Sequence, residues 1–210
     1  MSTLRVARHA LLRHKLTRLR QRETDSASFR RLLAEMGAIL TAEALRDLPE
    51  ASWLIETPMA RMQAPALAGP EPCLVAILRA GLGLLEGARC VLPEAPIGHL
   101  GMMRDEATLQ PREYLVRLPP DLASRGALLL DPMLATGGSA CAAIARLKAA
   151  GATAIRFACV VAAPEGAARL AAEHPDVPVL AAALDERLDA RGYILPGLGD
   201  AGDRCFGTQG

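Results

Sequence analysis

The densest run of groups that could do chemistry is Asp131, Pro132, Met133, Leu134, Ala135, Thr136, Gly137, Gly138 and Ser139, which follows the apolar stretch 127–130 and leads into an Ala-rich stretch ended by Gly151. A strand, a small-residue loop and a helix N-terminus together make an anion site. Thr136 and Ser139 offer hydroxyls, Gly137 and Gly138 let the backbone fold tightly with its N–H groups inward, and the helix dipole adds partial positive charge. A phosphomonoester fits there. Asp131 would then lie beside the sugar of a phosphosugar, where a carboxylate accepts bonds from two ribose hydroxyls and stabilises positive charge on the ring. An ordinary βα turn with Ser139 as N-cap has the same residue pattern, so the local pattern leaves both open.

Two arginines and the tail add to this run. Arg79 ends the apolar stretch 73–78 and precedes Ala80 and Gly81, placing a permanent cation and a flexible backbone where a diphosphate, or only solvent, could meet them. Arg104 stands before the polar run 105–112, which reads as a mobile loop; from spacing alone an exposed surface arginine is the default reading. The segment 197–202 matches GxGxxG, yet it follows Pro196 and leaves eight residues, too few for the helix and strand of a dinucleotide fold. What remains is a glycine-rich loop whose own N–H and C=O groups could read a planar base, or a disordered tail.

The elements that must hold these groups can be read from periodicity. Residues 28–48 carry apolar side chains at helical spacing, with Ser26 or Ser28 available as cap, after a shorter basic helix. The Pro- and Met-rich stretch 58–72 reads as a hairpin or arm. Short apolar runs at 73–78, 97–102, 127–130, 155–162 and 177–182 alternate with helical stretches at 84–91, 139–150 and 166–174, the alternation of parallel βαβ units. An α/β fold follows, a parallel sheet flanked by helices, whose ligands bind beyond the carboxyl ends of the strands. One domain spans 1–210: N-terminal helices over 1–50, a core sheet over 73–184 and a small C-terminal hood over 185–210. The tail from 192 onward is too glycine-rich for regular structure, and no aromatic stacking partner is expected from it.

Composition narrows the partners. The net charge is +1 with 24 scattered cations, which argues against nucleic acid and an anionic membrane surface. Lys15 and Lys148 are the only lysines, so the cations are nearly all arginines, which suit bidentate phosphate contacts, and Schiff-base chemistry loses candidates. Five cysteines without CxxC spacing read as reduced, buried thiols of a cytoplasmic protein. His9, His14, His99 and His174 show no ligand pairing. No apolar run reaches the ~18 residues of a membrane span, and no GxxxxGK[ST] or GxSxG motif is present.

The acid-Pro-Met-Leu-Ala-Thr-Gly-Gly-Ser run resembles the phosphoribosyl-diphosphate loop of uracil phosphoribosyltransferases, a branch of the type I phosphoribosyltransferases. The resemblance extends to Ile77 through Gly83, Gly101 to Thr108, Ala162 through Gly166 and Gly192 to Thr208. It implies transfer of the 5-phosphoribosyl group from 5-phosphoribosyl 1-diphosphate to uracil, giving UMP and diphosphate. It further implies that Arg79, Arg104, Asp200 and the loop from Asp131 to Ser139 bind the donor, with Arg104, Asp131 and Asp200 at the reacting centre. Ile194, Gly199, Asp200 and Ala201 would bind uracil, largely through their backbone. Also implied are an unusual geometry, such as a cis peptide, at the Arg79–Ala80 turn, Mg2+ carried by the diphosphate with no direct protein ligand, a homo-oligomer, and a nucleotide effector such as GTP. Met103 stands where relatives often carry Tyr. The rival readings are a transferase for a purine and a regulator that keeps the donor site but binds RNA.

Overall fold

The computed structural model describes residues 4–104 and 111–208, apart from the side chains of Met103, Arg104 and Pro111. In chain order, β1 (Leu4–Val6) is followed by α1 (Ala10–Arg20), α2 (Ser26–Ala44) and a hairpin of β2 (Glu50–Glu56) and β3 (Arg61–Leu67). Then come β4 (Cys73–Leu78), α3 (Gly81–Val91), β5 (Ile97–Arg104), β6 (Pro111–Arg117), α4 (Leu122–Arg125), β7 (Ala127–Leu130), β8 (Met133–Leu134) and α5 (Gly138–Ala149). The chain closes with β9 (Ile155–Ala162), α6 (Pro164–Glu173), β10 (Val179–Leu184), β11 (Arg187–Leu188), β12 (Ile194–Leu195) and α7 (Ala201–Phe206).

The main sheet runs β1-β10-β9-β7-β4-β5-β6, with β8 added beside β9. Its pairs are parallel except β5 with β6. Strands β4 and β7 are apolar along their whole length, and β9 is so but for Arg156, because both faces are covered. Leu74, Ala76, Leu128 and Leu130 point into a core shared with Phe29, Leu33, Met36 and Leu84 of α2 and α3. Their neighbours Val75, Ile77, Leu129 and Phe157 point into the opposite core, shared with Ile144, Leu147 and Leu170 of α5 and α6. After β4 the chain builds outward to β5 and β6, then returns to place β7 on the other side of β4. That reversal opens a crevice beyond the carboxyl ends of β4 and β7, where an open α/β sheet binds its ligand.

Several expected boundaries move, for identifiable reasons. Helix α2 starts at Ser26 because Asp25 is its cap, the Asp25 carboxylate accepting from the Ser28 amide at 2.8 Å, rather than either serine. It stops at Ala44, whose carbonyl accepts from Arg156 Nη1 at 2.7 Å. The last main-sheet strand begins at Val179, because Pro178 has no N–H to give to a ladder. The hairpin begins at Glu50, ahead of the expected 58–72, and turns at Thr57–Ala60, where the Thr57 amide donates to the Ala60 carbonyl at 2.9 Å. The tail does hold regular structure: β12 pairs antiparallel with β11, and α7 follows. Glycines at positive φ sit in the turns between these pieces (Gly192, Gly197 and Gly199) and at the end of α7 (Gly207). The loop expected over 105–112 lies outside the described residues at 105–110, and Pro111 and Arg112 belong to β6.

Candidate active site

Asp131 leaves the end of β7 while its amide still donates to the Ala158 carbonyl at 3.3 Å. The chain then steps sideways. The Pro132 carbonyl accepts from the amides of Val160 and Val161, and Met133–Leu134 rejoins β9 as β8. This detour re-aims the loop, so that residues 135–139 curl over the crevice before α5 begins. Gly137 turns the curl at φ +79°, a region unfavourable to residues with a Cβ. Gly166, in the first turn of α6, lets that helix press against the curl, since a Cβ there would lie 2.2 Å from the Ala135 carbonyl oxygen. Among the described residues, no acceptor takes the amide hydrogens of Thr136, Gly137 or Ser139. With the N-terminus of α5 behind them, they form a cradle with the polarity an anion needs.

The Asp131 carboxyl lies at the floor of the crevice. Burial pushes its pKa up to about 7, the Met133 N–H at 3.3 Å works the other way, and the nearby charge of Asp200 raises it further. It therefore titrates near neutrality, and ligand hydroxyls that donate to it would favour its ionised form.

Arg79 follows β4 across a cis Leu78–Arg79 peptide, one bond earlier than the Arg79–Ala80 turn where unusual geometry was expected. Its guanidinium donates to Asp203 Oδ1 at 3.2 Å and Thr208 Oγ1 at 3.1 Å, and lies 5.9 Å from the Phe206 ring centre. The Asp200 carboxylate caps α7, accepting from the Asp203 amide at 2.9 Å. Arg104 ends β5 next to Pro111 of β6; its side chain, and so its expected diphosphate contact, lies outside the described residues.

The cradle and the tail face each other across a crevice with two adjoining hollows, of about 360 and 310 Å³. Every residue of the 131–139 loop lines it except Pro132, which is buried with its carbonyl turned to β9. Arg79, Ile194, Gly199, Asp200 and Ala201 line the second hollow, and Asp131, Ser139 and Asp200 border both. Tyr193 also borders both, an aromatic ring at the crevice from a tail expected to offer no aromatic stacking partner. A turn built on Asp189 holds it, the Asp189 carboxylate accepting from the Tyr193 amide at 2.8 Å. An aromatic beside Gly192 in a glycine-rich segment was the available signal. Ile77 and Met102 also line the second hollow unforeseen, being inside strand segments that read only as core.

Other ionisable groups stand apart. Four cysteines are buried and Cys90 is exposed, contrary to the expectation of buried thiols alone. Burial raises the Cys159 thiol far above its usual range, with the charge of Asp131 adding to the effect. His174 lies with Cys141 and Glu173, their ligand atoms within 4.8 Å of one another, a grouping the spacing of the histidines did not suggest. Its ring nitrogens face the Cys141 carbonyl at 3.1 Å and Lys148 Nζ at 3.3 Å, so it already bridges α5 and the end of α6. Among the described residues no helix is long and apolar enough to cross a membrane.

Comparison with known proteins bears on what this crevice accepts. The sequence model of the uracil phosphoribosyltransferase family matches residues 6–208. A uracil phosphoribosyltransferase of Myxococcus xanthus is 54% identical over 204 residues, 97% of each chain. One from Levilactobacillus brevis is 50% identical over 209 residues, covering 100% of both. A solved structure of an Aquifex aeolicus protein superposes with a TM-score of 0.93 at 37% identity, covering 98% of this chain and 99% of that one. The adenine phosphoribosyltransferase of Trypanosoma brucei, 15% identical, shares the fold with a TM-score of 0.57 over 95% of this chain and 89% of its own.

Proposed function

Since the chain belongs to the uracil phosphoribosyltransferase family and transfers the 5-phosphoribosyl group of 5-phosphoribosyl 1-diphosphate to uracil, giving UMP and diphosphate, we propose that the crevice between the 131–139 cradle and the tail is where it does so. The observation that carries this assignment is that the cradle, the Asp131 carboxyl and the tail loop border one open space. The amides of Thr136, Gly137 and Ser139 hold the 5-phosphate, and Asp131 accepts from the ribose hydroxyls. Arg79 binds the diphosphate, exchanging its Asp203 contact for phosphate oxygens, and the family resemblance gives Arg104 the same role.

On this reading the bond from the anomeric carbon to diphosphate breaks as the bond to uracil N1 forms, through an oxocarbenium-like transition state. The ionised Asp131 lies against the positive ring, and positioning and electrostatics dominate over covalent catalysis. The N1 proton leaves to solvent or to Asp200. Backbone groups of Ile194, Gly199 and Ala201 read the O4, N3–H, O2 edge of uracil. Cytosine would set its 4-amino hydrogens against an N–H, leaving buried polar groups unpaired at a cost of about 1–3 kcal/mol each. Tyr193 covers the space between sugar and base.

The crevice offers two carboxylates, Asp131 and Asp200, and no group of three close ligands among the described residues. That set suits Mg2+ held chiefly by phosphate oxygens and water, with Asp200 in its outer shell, better than a cage of protein ligands. Bound there, Mg2+ would neutralise charge on the leaving diphosphate.

All five cysteines are free, which supports a reducing compartment such as the cytoplasm. The β2–β3 pair stands off the main sheet as a sheet of its own, with Trp53, Leu54 and Met59 exposed at 58, 68 and 92%. A lone hairpin of that kind is marginal in water, so we assign it to contact with a second copy of the chain. No surface is assigned to an effector such as GTP. Incubation with labelled uracil, the donor and Mg2+ tests the whole reading: UMP supports it, whereas nucleotide formed only from a purine, or RNA retention without turnover, refutes it.

A further inference from the structure

Resting on the reading that the tail loop binds uracil, we propose that Arg20 and Asp185 are positioning residues for the base: an ion pair behind the crevice that sets the height of the 194–201 loop above the ribose site. Asp185 follows β10, and its amide donates to the Ala162 carbonyl at 2.8 Å, which fixes it to the carboxyl end of the sheet. Its side chain is 4% exposed and both oxygens are used. Oδ1 accepts from Arg20 Nη2 at 2.5 Å, and Oδ2 accepts from Arg20 Nη1 at 2.7 Å and from the Gly197 amide at 2.9 Å. Arg20 Nη1 also donates to the Gly197 carbonyl at 2.6 Å. Both polar groups of one loop residue are thus held by a single bidentate pair, the geometry in which an arginine fork is stiffest.

The residue held is the loop's pivot. Gly197 follows the cis Leu195–Pro196 bond at φ +61°, and a Cβ there would lie 2.0 Å from the Ile194 carbonyl oxygen, so the backbone doubles back on Ile194 at this point. Ile194 lies three residues before it; Gly199 and Ala201 lie two and four residues after. Arg20 is the last residue of α1, whose Leu12, Leu16 and Leu19 are buried in the core, so the pair transmits the position of a packed helix to the loop. Neither residue borders the crevice. Arg20 lines a separate hollow on the other side of the loop, which shares Gly199 and Asp200 with the crevice. Arg204 reinforces the arrangement, donating to the Leu198 carbonyl at 2.7 Å and, across the same gap, to the Leu19 carbonyl at 2.8 Å.

A misplacement of the loop by about 1 Å weakens the backbone reading of uracil while leaving the donor's cradle, built on β8 and α5, untouched. Arg20→Ala is therefore expected to raise the uracil KM by about ten- to a hundredfold and to change the donor KM by less than about twofold. Arg20→Lys, which keeps the charge but not the fork, should fall between, and Arg20→Gln carries the test should the alanine variant fail to fold. A purely structural role would instead lower the melting temperature with both KM values unchanged or raised together, and either result overturns the proposal. Gly199→Ala, at φ +78° within the loop itself, separates this from the underlying reading. If it raises the uracil KM while the Arg20 variants do not, the positioning role fails and the uracil site stands. If neither moves it, both fall.

Discussion

Replacing Asp131 by Asn should cripple the enzyme and, above neutral pH, make the empty protein more stable. The gap between the ordinary 3.8 and about 7 means that the fold disfavours the ionised carboxyl; at ~1.4 kcal/mol per pH unit this amounts to about 4 kcal/mol. For an acid whose folded pKa is raised, the folded state holds the extra proton between the two values. Stability therefore falls as pH rises from about 4 to about 7, and the full penalty applies above that. Asn matches the shape, keeps an oxygen for the Met133 amide and carries no charge. Because solvent still reaches the crevice, about half the penalty, roughly 2 kcal/mol, is the expected relief at pH 8, or about 4–8 °C in Tm for a chain of this size. The gain should shrink by more than half at pH 5. Catalysis should fall by about two to three orders of magnitude in kcat/KM, because the neutral amide no longer faces the positive ring. Thermal melts of both proteins at pH 5 and 8 without ligand, with initial rates alongside, decide the matter. An Asp131→Asn variant that melts no higher than wild type at pH 8, or that gains as much at pH 5, refutes the burial argument.

Asp200 has two duties that substitution can separate. Asp200→Asn should retain the cap of α7 and the stability while lowering kcat, whereas Asp200→Ala should also lose about 1 kcal/mol in urea unfolding; equal rates for Asn and wild type would remove the carboxylate from the reaction. Gly166→Ala forces the first turn of α6 away from the Ala135 carbonyl, so about 1–3 kcal/mol of stability loss and a raised donor KM are expected, and an unchanged donor KM would show that the curl is not the phosphate cradle. Leu54→Glu at the exposed hairpin should shift the assembly to smaller species in sedimentation velocity with the fold intact by circular dichroism; an unchanged sedimentation coefficient would place the subunit contact elsewhere.

The most legible parts of the chain were those whose structure depends on neighbours close in sequence. Strands β4, β7 and β9 have the expected bounds, because a central parallel strand is an apolar run, interrupted in β9 by Arg156 alone, that turn residues cut off. The 131–139 cradle was legible for the same reason: strand end, small residues and helix start are contiguous. The hairpin was legible as a hairpin or arm but not in its extent, which begins at Glu50, since its strands alternate weakly and carry exposed apolar side chains that no local pattern explains.

Sequence alone was enough to establish a βαβ core, a loop of small residues between a strand end and a helix start, and a glycine-rich tail. Only the tertiary structure decided that Arg79 meets Asp203, that Tyr193 borders the crevice and that Arg20 grips Asp185 across 165 positions. Backbone propensities and caps act over a few residues and leave their mark in the local pattern. Which charge finds which partner depends on where packing brings distant segments, and burial then sets the strength of that contact, as the raised pKa of Asp131 illustrates.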